Sequence, residues 1–338
     1  MLLDKCFIIA ELSANHGGDI EIAKETVRAA KRAGADAIKL QTYTADTITL
    51  DVRSDLFKID QGTAWDGQYL HDLYKQASLP WEWHKELYDL AKEEGLVCFS
   101  SPFDFTAVDF LEKLQTPIYK VASFEITDIP LIEYIASKQK PIIISTGIAT
   151  IEDIELAISA CKKEGNNDIT ILKCTSAYPA SPEDANLLTI PDIKEKFNVK
   201  VGLSDHTMGT EAPTVAVALG ATVIEKHFIL NKEIGGADAH FSLDEEEFTQ
   251  MVNAVRLTER LMGKVDYEMN DKKQSSRTFS RSLFISEDVK KGDIITKHNI
   301  KSVRPNYGLH PKYYNDVLGK TFTTNAIKGT PLSLDIIK

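Results

Sequence analysis

Short apolar runs alternate with longer amphipathic runs over most of the chain. Stretches such as 19–33 and 151–164 repeat their apolar residues every three or four positions, which is typical of helices. The short runs between them are almost continuously apolar, which is typical of strands buried on both faces of a parallel sheet. We predict strands at 6–12, 37–43, 96–102, 118–123, 141–147, 169–175, 200–206 and 223–228.

Eight strand–helix units in about 260 residues predict an α/β fold of the (β/α)8 TIM-barrel type. A doubly wound open sheet is the alternative. No GxGxxG motif follows the first strand, and polar residues end every strand rather than those at one switch point. The barrel is therefore favoured.

Polar side chains stand at the carboxyl ends of these predicted strands, where a strand shaped only by packing would stay apolar. Because the carboxyl ends of barrel strands meet at one face, we expect these side chains to share a site. They are Glu11, Lys39, Gln41, Ser101, Lys120, Ser123, Ser145, Ser176, Tyr178, Ser204, His206 and His227.

Two further segments differ from the barrel pattern. An insertion at about 44–83 contains Trp65, Trp81 and Trp83, and it is interpreted either as a wall of the site or as the packing of a long loop. A polar stretch, 266–281, predicts a linker, and 282–338 predicts a small β-rich domain punctuated by Gly and Pro. The barrel domain is predicted at 1–265.

Composition narrows the class of protein. A formal net charge of −11 argues against a nucleic-acid partner, which requires a concentrated basic face. The four cysteines show no CxxC spacing and predict reduced core thiols rather than disulfides. The first residues enter a strand without a long apolar segment, so we expect a cytoplasmic protein with no membrane partner.

Two histidines end neighbouring predicted strands, His206 in VGLSDHT and His227 in VIEKHF. Two neutral imidazoles on adjacent strands suit a divalent metal; the alternative is one metal ligand and one core histidine. Asp205 and Glu225 are candidates to orient the two rings. No third strong ligand is evident, which favours Mn²⁺ or Mg²⁺ with water and substrate oxygens over a closed zinc site.

Lysines and hydroxyls at the strand ends suggest a receptor for phosphate or carboxylate. Lys39 and Lys120 supply the positive charge there, and Lys226, on the opposite face from His227, is interpreted as structural. A Schiff-base aldolase is the rival chemistry, because barrel lysines also form imines with carbonyl substrates.

The motifs, taken together and in order, resemble the sialic acid synthase family. They are IAELSANHGG, GADAIKLQTY, CFSSPFD, YKVASFE, IISTGIAT, LKCTSAYP, VGLSDHT and EKHF. The tail, with KSVRPNYGLHP and GKTFTTNAIKGTPL, is similar to that family's antifreeze-like (SAF) domain, so the resemblance covers essentially the whole chain. GTAWDGQYLHDLY, WEWH and VRPNYGLHP look like the family's pseudaminate branch.

The resemblance implies condensation of phosphoenolpyruvate with an open-chain amino sugar and release of phosphate. For the pseudaminate branch the sugar is 2,4-diacetamido-2,4,6-trideoxy-L-altrose. It implies that Mn²⁺ or Mg²⁺ binds to His206 and His227, and that Glu11 and Glu125 are candidates for proton transfer. The residues implied around phosphoenolpyruvate are Lys39, Ser101, Lys120, Ser123, Ser145 and Ser204. Those implied around the sugar and the attacking water are Glu11, Gln41, Glu125, Ser176, Tyr178 and Asp238.

The resemblance also implies a homodimer in which Arg304 of the tail reaches the sugar in the partner's barrel. One departure concerns Ser176, where N-acetylneuraminate synthases have Asn two residues before the tyrosine. The departure weakens the case for N-acetylneuraminate synthesis. That activity and diacetyllegionaminate synthesis remain alternatives. For Glu11 and Glu125 the structural alternative is a carboxylate paired with a nearby lysine. A non-catalytic sugar-binding protein is the alternative of another class.

Overall fold

A computed structural model of the protein describes residues 5–60, 62 and 65–338. Residues 1–4 of the predicted barrel domain, and Gln61, Thr63 and Ala64 of the predicted insertion, lie outside the described residues. The chain divides into two compact units, Met1–Gly263 and Lys264–Lys338.

In its described part, the first unit forms a closed barrel of eight parallel strands, each paired with its neighbours in chain order. The (β/α)8 prediction is confirmed. The strands are β1 (Phe7–Glu11), β2 (Ala37–Thr42), β3 (Val97–Pro102), β4 (Tyr119–Val121), β5 (Ile142–Ser145), β6 (Ile169–Cys174), β7 (Lys200–Asp205) and β8 (Val223–His227).

Helices follow the strands, and most of them bury apolar residues against the barrel. The helices are α1 (Ile20–Arg32), α2 (Ala45–Ile48), α3 (Leu70–Ala77), α4 (Trp81–Glu93), α5 (Phe105–Lys113), α6 (Ile129–Ala136), α7 (Ile151–Lys163), α8 (Thr189–Phe197), α9 (Glu211–Ala218) and α10 (Glu245–Met262). Of these, α2 and α3 belong to the insertion, and α3 has no buried residue. Local sequence sets their starts: Asp19 caps α1, and Thr150 and Asp244 form capping boxes at α7 and α10.

Strand register determines which polar residues meet. Glu11 is opposite Lys39 on one side and opposite His227 on the other, and Ser204 is opposite Glu225. These pairs lie at the carboxyl ends of β1, β2, β7 and β8. The register therefore brings strand ends that are distant in sequence to one face of the barrel.

The insertion after β2 contains α2 and α3 and ends at the start of α4. Its tryptophans differ in their contacts. Trp81 packs on Phe110, with ring centroids 4.8 Å apart, whereas Trp65 contacts Tyr178 edge-on at 6.0 Å. Trp81 thus agrees with the packing of a long loop, whereas Trp65 lies beside Tyr178, a predicted site residue.

The second unit begins with α11 (Asp271–Arg277), which lies within the segment predicted as a linker. Strands β9 (Ser282–Ile285) and β10 (Ile300–Val303) pair antiparallel, and α12 (Tyr314–Val317) follows. Its own apolar core includes Leu283, Ile295 and Phe322. No helix in the described part of either unit is long and apolar enough to cross a membrane.

Candidate active site at the carboxyl end of the barrel

Four alternating charges lie inside the barrel mouth and are called the ion cluster here: Glu11, Lys39, Lys120 and Glu225. The Lys39 Nζ lies 2.5 Å from Glu11 Oε2 and 3.7 Å from Glu225 Oε2. The Lys120 Nζ lies 3.8 Å from Glu225 Oε1. All four side chains are buried. Two buried lysines together make a strongly positive surface for an anion only if their charges are retained.

Burial and ion pairing shift the pKa values of the ion cluster in opposite directions. Burial raises the pKa of Glu11, with the positive Lys39 opposing the shift. Burial alone disfavours a charged Lys39, but Glu11 and Glu225 more than offset this and raise the pKa of Lys39. The pKa of Lys120 is lowered by burial and also by Lys39. Despite burial, the pKa of Glu225 is lowered by the two lysines.

Glu125 is a second carboxyl of the site with an altered pKa. It lies just after β4, and its Oε2 has no hydrogen-bond partner among the residues that the structure describes. Burial raises the pKa of Glu125 to about 7, with Lys120 opposing the shift. A carboxyl that titrates near neutrality is suited to proton transfer at physiological pH.

The serines predicted at the strand ends line this part of the mouth. Ser101 Oγ lies 3.3 Å from Lys39 Nζ, and Ser204 donates a 3.0 Å hydrogen bond to Glu225. The hydroxyl of Ser145 is buried and has no partner within the described residues, so it is available to a ligand.

Ser123 and Ser176 form a pair beside a required glycine. Ser176 Oγ donates to Ser123 Oγ at 2.9 Å. A Cβ on Gly147 would lie 2.0 Å from Ser176 Oγ and 2.6 Å from Ser123 Oγ. Gly147 therefore allows the two hydroxyls to meet at the end of β5.

Four rings form a second group, called the ring cluster: Tyr178, His206, His227 and Phe241. The centroids of the two imidazoles are 5.3 Å apart, and Tyr178 packs on His206 at 4.4 Å with its ring tilted. Phe241 packs on His227 at 4.8 Å. Trp65 extends this wall through its contact with Tyr178.

The two histidines differ in protonation. Despite burial, Cys174 raises the pKa of His206 through a hydrogen bond and through its charge. His206 Nδ1 donates to the carbonyl oxygen of Thr175 at 2.9 Å, so Nε2 is the nitrogen that would bind a metal once it has lost its proton. Burial and the positive neighbours, His206 first, hold the pKa of His227 well below its usual range, so this ring is neutral. Its buried Nδ1 has no hydrogen-bond partner in the part of the chain that is described. In that part, no group of three or more His, Cys, Asp or Glu side chains is placed to hold a metal.

Asp238 and Gln41 connect the two clusters. Asp238 Oδ2 lies 3.7 Å from His227 Nδ1, and burial raises the pKa of Asp238. Gln41 donates through Nε2 to Glu11 Oε1 at 3.1 Å and to Ser13 Oγ at 3.0 Å. The sugar-binding residues implied by the sequence thus lie between the buried charges and the rings.

The structure corrects the roles given to Asp205 and Glu225 as partners of the two imidazoles. Asp205 accepts from Thr207 and from the buried Lys226, on the face of β7 opposite His206. Glu225 faces the lysines instead of His227. The structural role predicted for Lys226 agrees with its ion pair with Asp205.

Comparison with known proteins places the chain in a family. The NeuB family profile matches residues 26–267, and a SAF domain profile matches residues 280–337. The chain belongs to the NeuB family.

Several members of the NeuB family are similar over nearly their full length. A pseudaminic acid synthase of Campylobacter jejuni is 51% identical over 94% of this chain and 92% of its own length. That of Helicobacter pylori is 50% identical over 98% and 97%. An N,N′-diacetyllegionaminic acid synthase of Legionella pneumophila is 37% identical over 97% and 93%.

Solved structures of NeuB relatives share the architecture. A putative spore coat polysaccharide biosynthesis protein E from Chromobacterium violaceum superposes with a TM-score of 0.76 at 27% identity, covering 99% of this chain and all of the other. The N-acetylneuraminic acid synthetase of Leptospira borgpetersenii, solved with citrate, gives 0.72 at 30% identity, covering 81% of this chain and 90% of that one.

Sequence reasoning missed two residues of this NeuB-family site, Ser13 and Phe241. Phe241 lies in a loop after β8, where no strand pattern marks it, although it follows His240 in an otherwise polar segment. Ser13 lies two residues beyond the end of β1, and its role depends on a backbone conformation that the sequence does not display. Arg304 is exposed on the C-terminal unit, and its contact with a sugar stays a prediction.

Proposed function

We propose that the chain catalyses the pseudaminic acid synthase reaction, in which phosphoenolpyruvate condenses with 2,4-diacetamido-2,4,6-trideoxy-L-altrose. C3 of phosphoenolpyruvate bonds to the aldehyde carbon of the sugar, water adds at C2, and the bond between C2 and the phosphate oxygen breaks. Support comes from identities of 50–51% to two pseudaminic acid synthases against 37% to a diacetyllegionaminic acid synthase.

The observation that carries the proposal is the ion cluster next to the ring cluster at one barrel mouth. Lys39 and Lys120 are held 3.7 Å and 3.8 Å from the same carboxylate, so their ammonium groups converge on one place. Ser101, Ser123, Ser145 and Ser204 add hydroxyls there. We assign the phosphate and carboxylate of phosphoenolpyruvate to this side, where fixed positive charge stabilises a departing phosphate.

The sugar is assigned to the side of Gln41, Ser176, Tyr178 and Asp238. Glu11 and Glu125 serve proton transfer: one removes a proton from the attacking water, and the other delivers one to the aldehyde oxygen. The raised pKa of each allows both protonation states near neutral pH. His206 and His227 would hold Mn²⁺ or Mg²⁺, which supplies Lewis-acid polarisation of the aldehyde oxygen when bound.

The C-terminal unit is proposed to complete the sugar site of a partner subunit through Arg304, in a domain-swapped homodimer. Charge supports such contact. Residues 264–338 contain 14 Lys and Arg against 8 Asp and Glu, whereas residues 1–263 contain 25 against 42. Opposite net charges favour association of one kind of unit with the other. Light scattering of the full chain measures the dimer.

A Schiff-base aldolase remains the second candidate, because the lowered pKa of Lys120 is the condition that imine formation requires. The test is phosphate release from phosphoenolpyruvate with a panel of diacetamido and N-acetyl hexoses and Mn²⁺, with products identified by mass and NMR. We expect release only with both substrates, fastest with the L-altro sugar, and lost with a chelator. Covalent trapping by borohydride, with turnover unaffected by the chelator, would favour the aldolase.

A further inference from the structure

Ser13 has a backbone conformation that serine rarely adopts. Its φ is +48°, in the left-handed region that glycine occupies without steric cost. The residue is buried just beyond β1 at the barrel mouth. Residues held in such conformations concentrate at functional sites, where the surrounding structure imposes them.

The hydroxyl of Ser13 links two residues from opposite ends of the chain. It accepts from Gln41 Nε2 at 3.0 Å and interacts with the carboxyl of Asp238, where it opposes the rise in pKa that burial causes. The backbone N–H of Ala14 reaches the same carboxylate at 3.4 Å. Ser13 thus connects Gln41, near the end of β2, with Asp238, in the loop after β8. Gln41 Nε2 also donates to Glu11.

Glycine at position 13 would relieve the backbone but would supply no hydroxyl. Serine therefore retains the strain together with one acceptor and one donor at the point where Gln41 and Asp238 converge. We propose that Ser13 is a positioning residue, which holds Gln41 and Asp238 in the geometry that binds the sugar. The inference rests on the proposed function, because those two residues are assigned to the sugar there.

Two substitutions separate the hydroxyl from the strain. Ser13→Ala removes the hydroxyl and keeps the strain, whereas Ser13→Gly removes both. We expect both variants to lose about tenfold to 100-fold in kcat/KM for the sugar, with the KM for phosphoenolpyruvate unchanged. Ser13→Gly should nevertheless unfold at a higher temperature than Ser13→Ala.

The matched control is Gln115→Gly, which makes the same backbone change at φ +58° on an exposed residue after α5. It should be fully active. Activity that follows stability, with Ser13→Gly near wild type and Ser13→Ala impaired, would overturn the positioning role. So would equal losses for both substrates.

Crystal structures of the wild type and Ser13→Gly decide the same point without turnover. We expect the Gln41 amide or the Asp238 carboxylate to shift when the hydroxyl is absent. If both side chains keep their positions, the proposal is wrong even where turnover is reduced. If the wild type is inactive with every sugar, the proposed function fails, and these structures alone test the role of Ser13.

Discussion

The ion cluster and the ring cluster face the same barrel mouth but are built by different physical means. In the ion cluster, charges of opposite sign hold one another in place, and Glu11, Lys39, Lys120 and Glu225 are each buried and ion-paired. In the ring cluster, packing holds the imidazoles, and one hydrogen bond to a backbone carbonyl orients His206. Charge therefore fixes the side assigned to phosphoenolpyruvate, and shape fixes the side assigned to the sugar.

The largest effect is expected when the ion cluster loses one charge. Lys39→Met leaves Glu11 and Glu225 buried without their shared cation, which costs about 3–5 kcal/mol of the free energy of unfolding. Urea denaturation at pH 7 measures this. Adding Glu11→Gln should recover part of the loss. Lys163→Met, which breaks the exposed pair with Glu133, is the control and should leave the urea midpoint in place. A Lys39→Met variant as stable as this control would contradict the ion-pair account.

Removing one ring is expected to affect turnover more than folding. His227→Ala should lower kcat/KM at least ~100-fold, because Lewis-acid assistance contributes several kcal/mol, and the purified variant should contain less metal. Elemental analysis and circular dichroism measure metal content and fold. His298→Ala, an exposed histidine of the C-terminal unit, is the matched control. Full activity of His227→Ala in metal-free buffer would refute the metal site.

The raised pKa of Glu125 predicts how stability changes with pH. The folded pKa of about 7 lies above the ordinary glutamate value of 4.5, so the stabilising contribution is present below pH 4.5 and is lost as pH rises towards 7. The difference can reach about 3 kcal/mol. Glu125→Gln should lose this part of the pH dependence and should have a larger free energy of unfolding than wild type at pH 8. Parallel stability curves for the two proteins would show that Glu125 has an ordinary pKa.

A smaller effect is expected where the two serines meet. Gly147→Ala would place a Cβ against both hydroxyls, and overpacking of this kind costs about 1–3 kcal/mol. The KM for phosphoenolpyruvate should rise, because Ser123 moves. Since the closest clash is with Ser176 Oγ, Gly147→Ala combined with Ser176→Ala should recover part of the loss. No recovery would mean that the serine pair does not carry the effect.

Much of the architecture could be predicted from the sequence because its signals are local. The apolar runs marked all eight barrel strands, and each observed strand is one to three residues shorter than predicted. The opposite faces of Lys226 and His227 followed from the alternation of side chains along a strand. The same alternation argues against pairing Asp205 with His206, its immediate neighbour, and that assignment was wrong.

The rest of the site depends on register and backbone conformation. The pairing of Glu11 with Lys39 follows from the register between β1 and β2, which sequence alone leaves undetermined. That pair matches the structural alternative considered for Glu11, and it leaves the proton-transfer role as a prediction. Ser13 was missed because nothing in its neighbours indicates a positive φ.

The division of the mouth into a charged side and a ring side is tested most directly by a crystal structure of the protein with phosphoenolpyruvate bound. The account predicts the phosphate within hydrogen-bond distance of Lys39 or Lys120 and of the free hydroxyl of Ser145, with the space beside Tyr178 and His206 left for the sugar. A phosphate seated against Tyr178 and Phe241, away from both lysines, would contradict it.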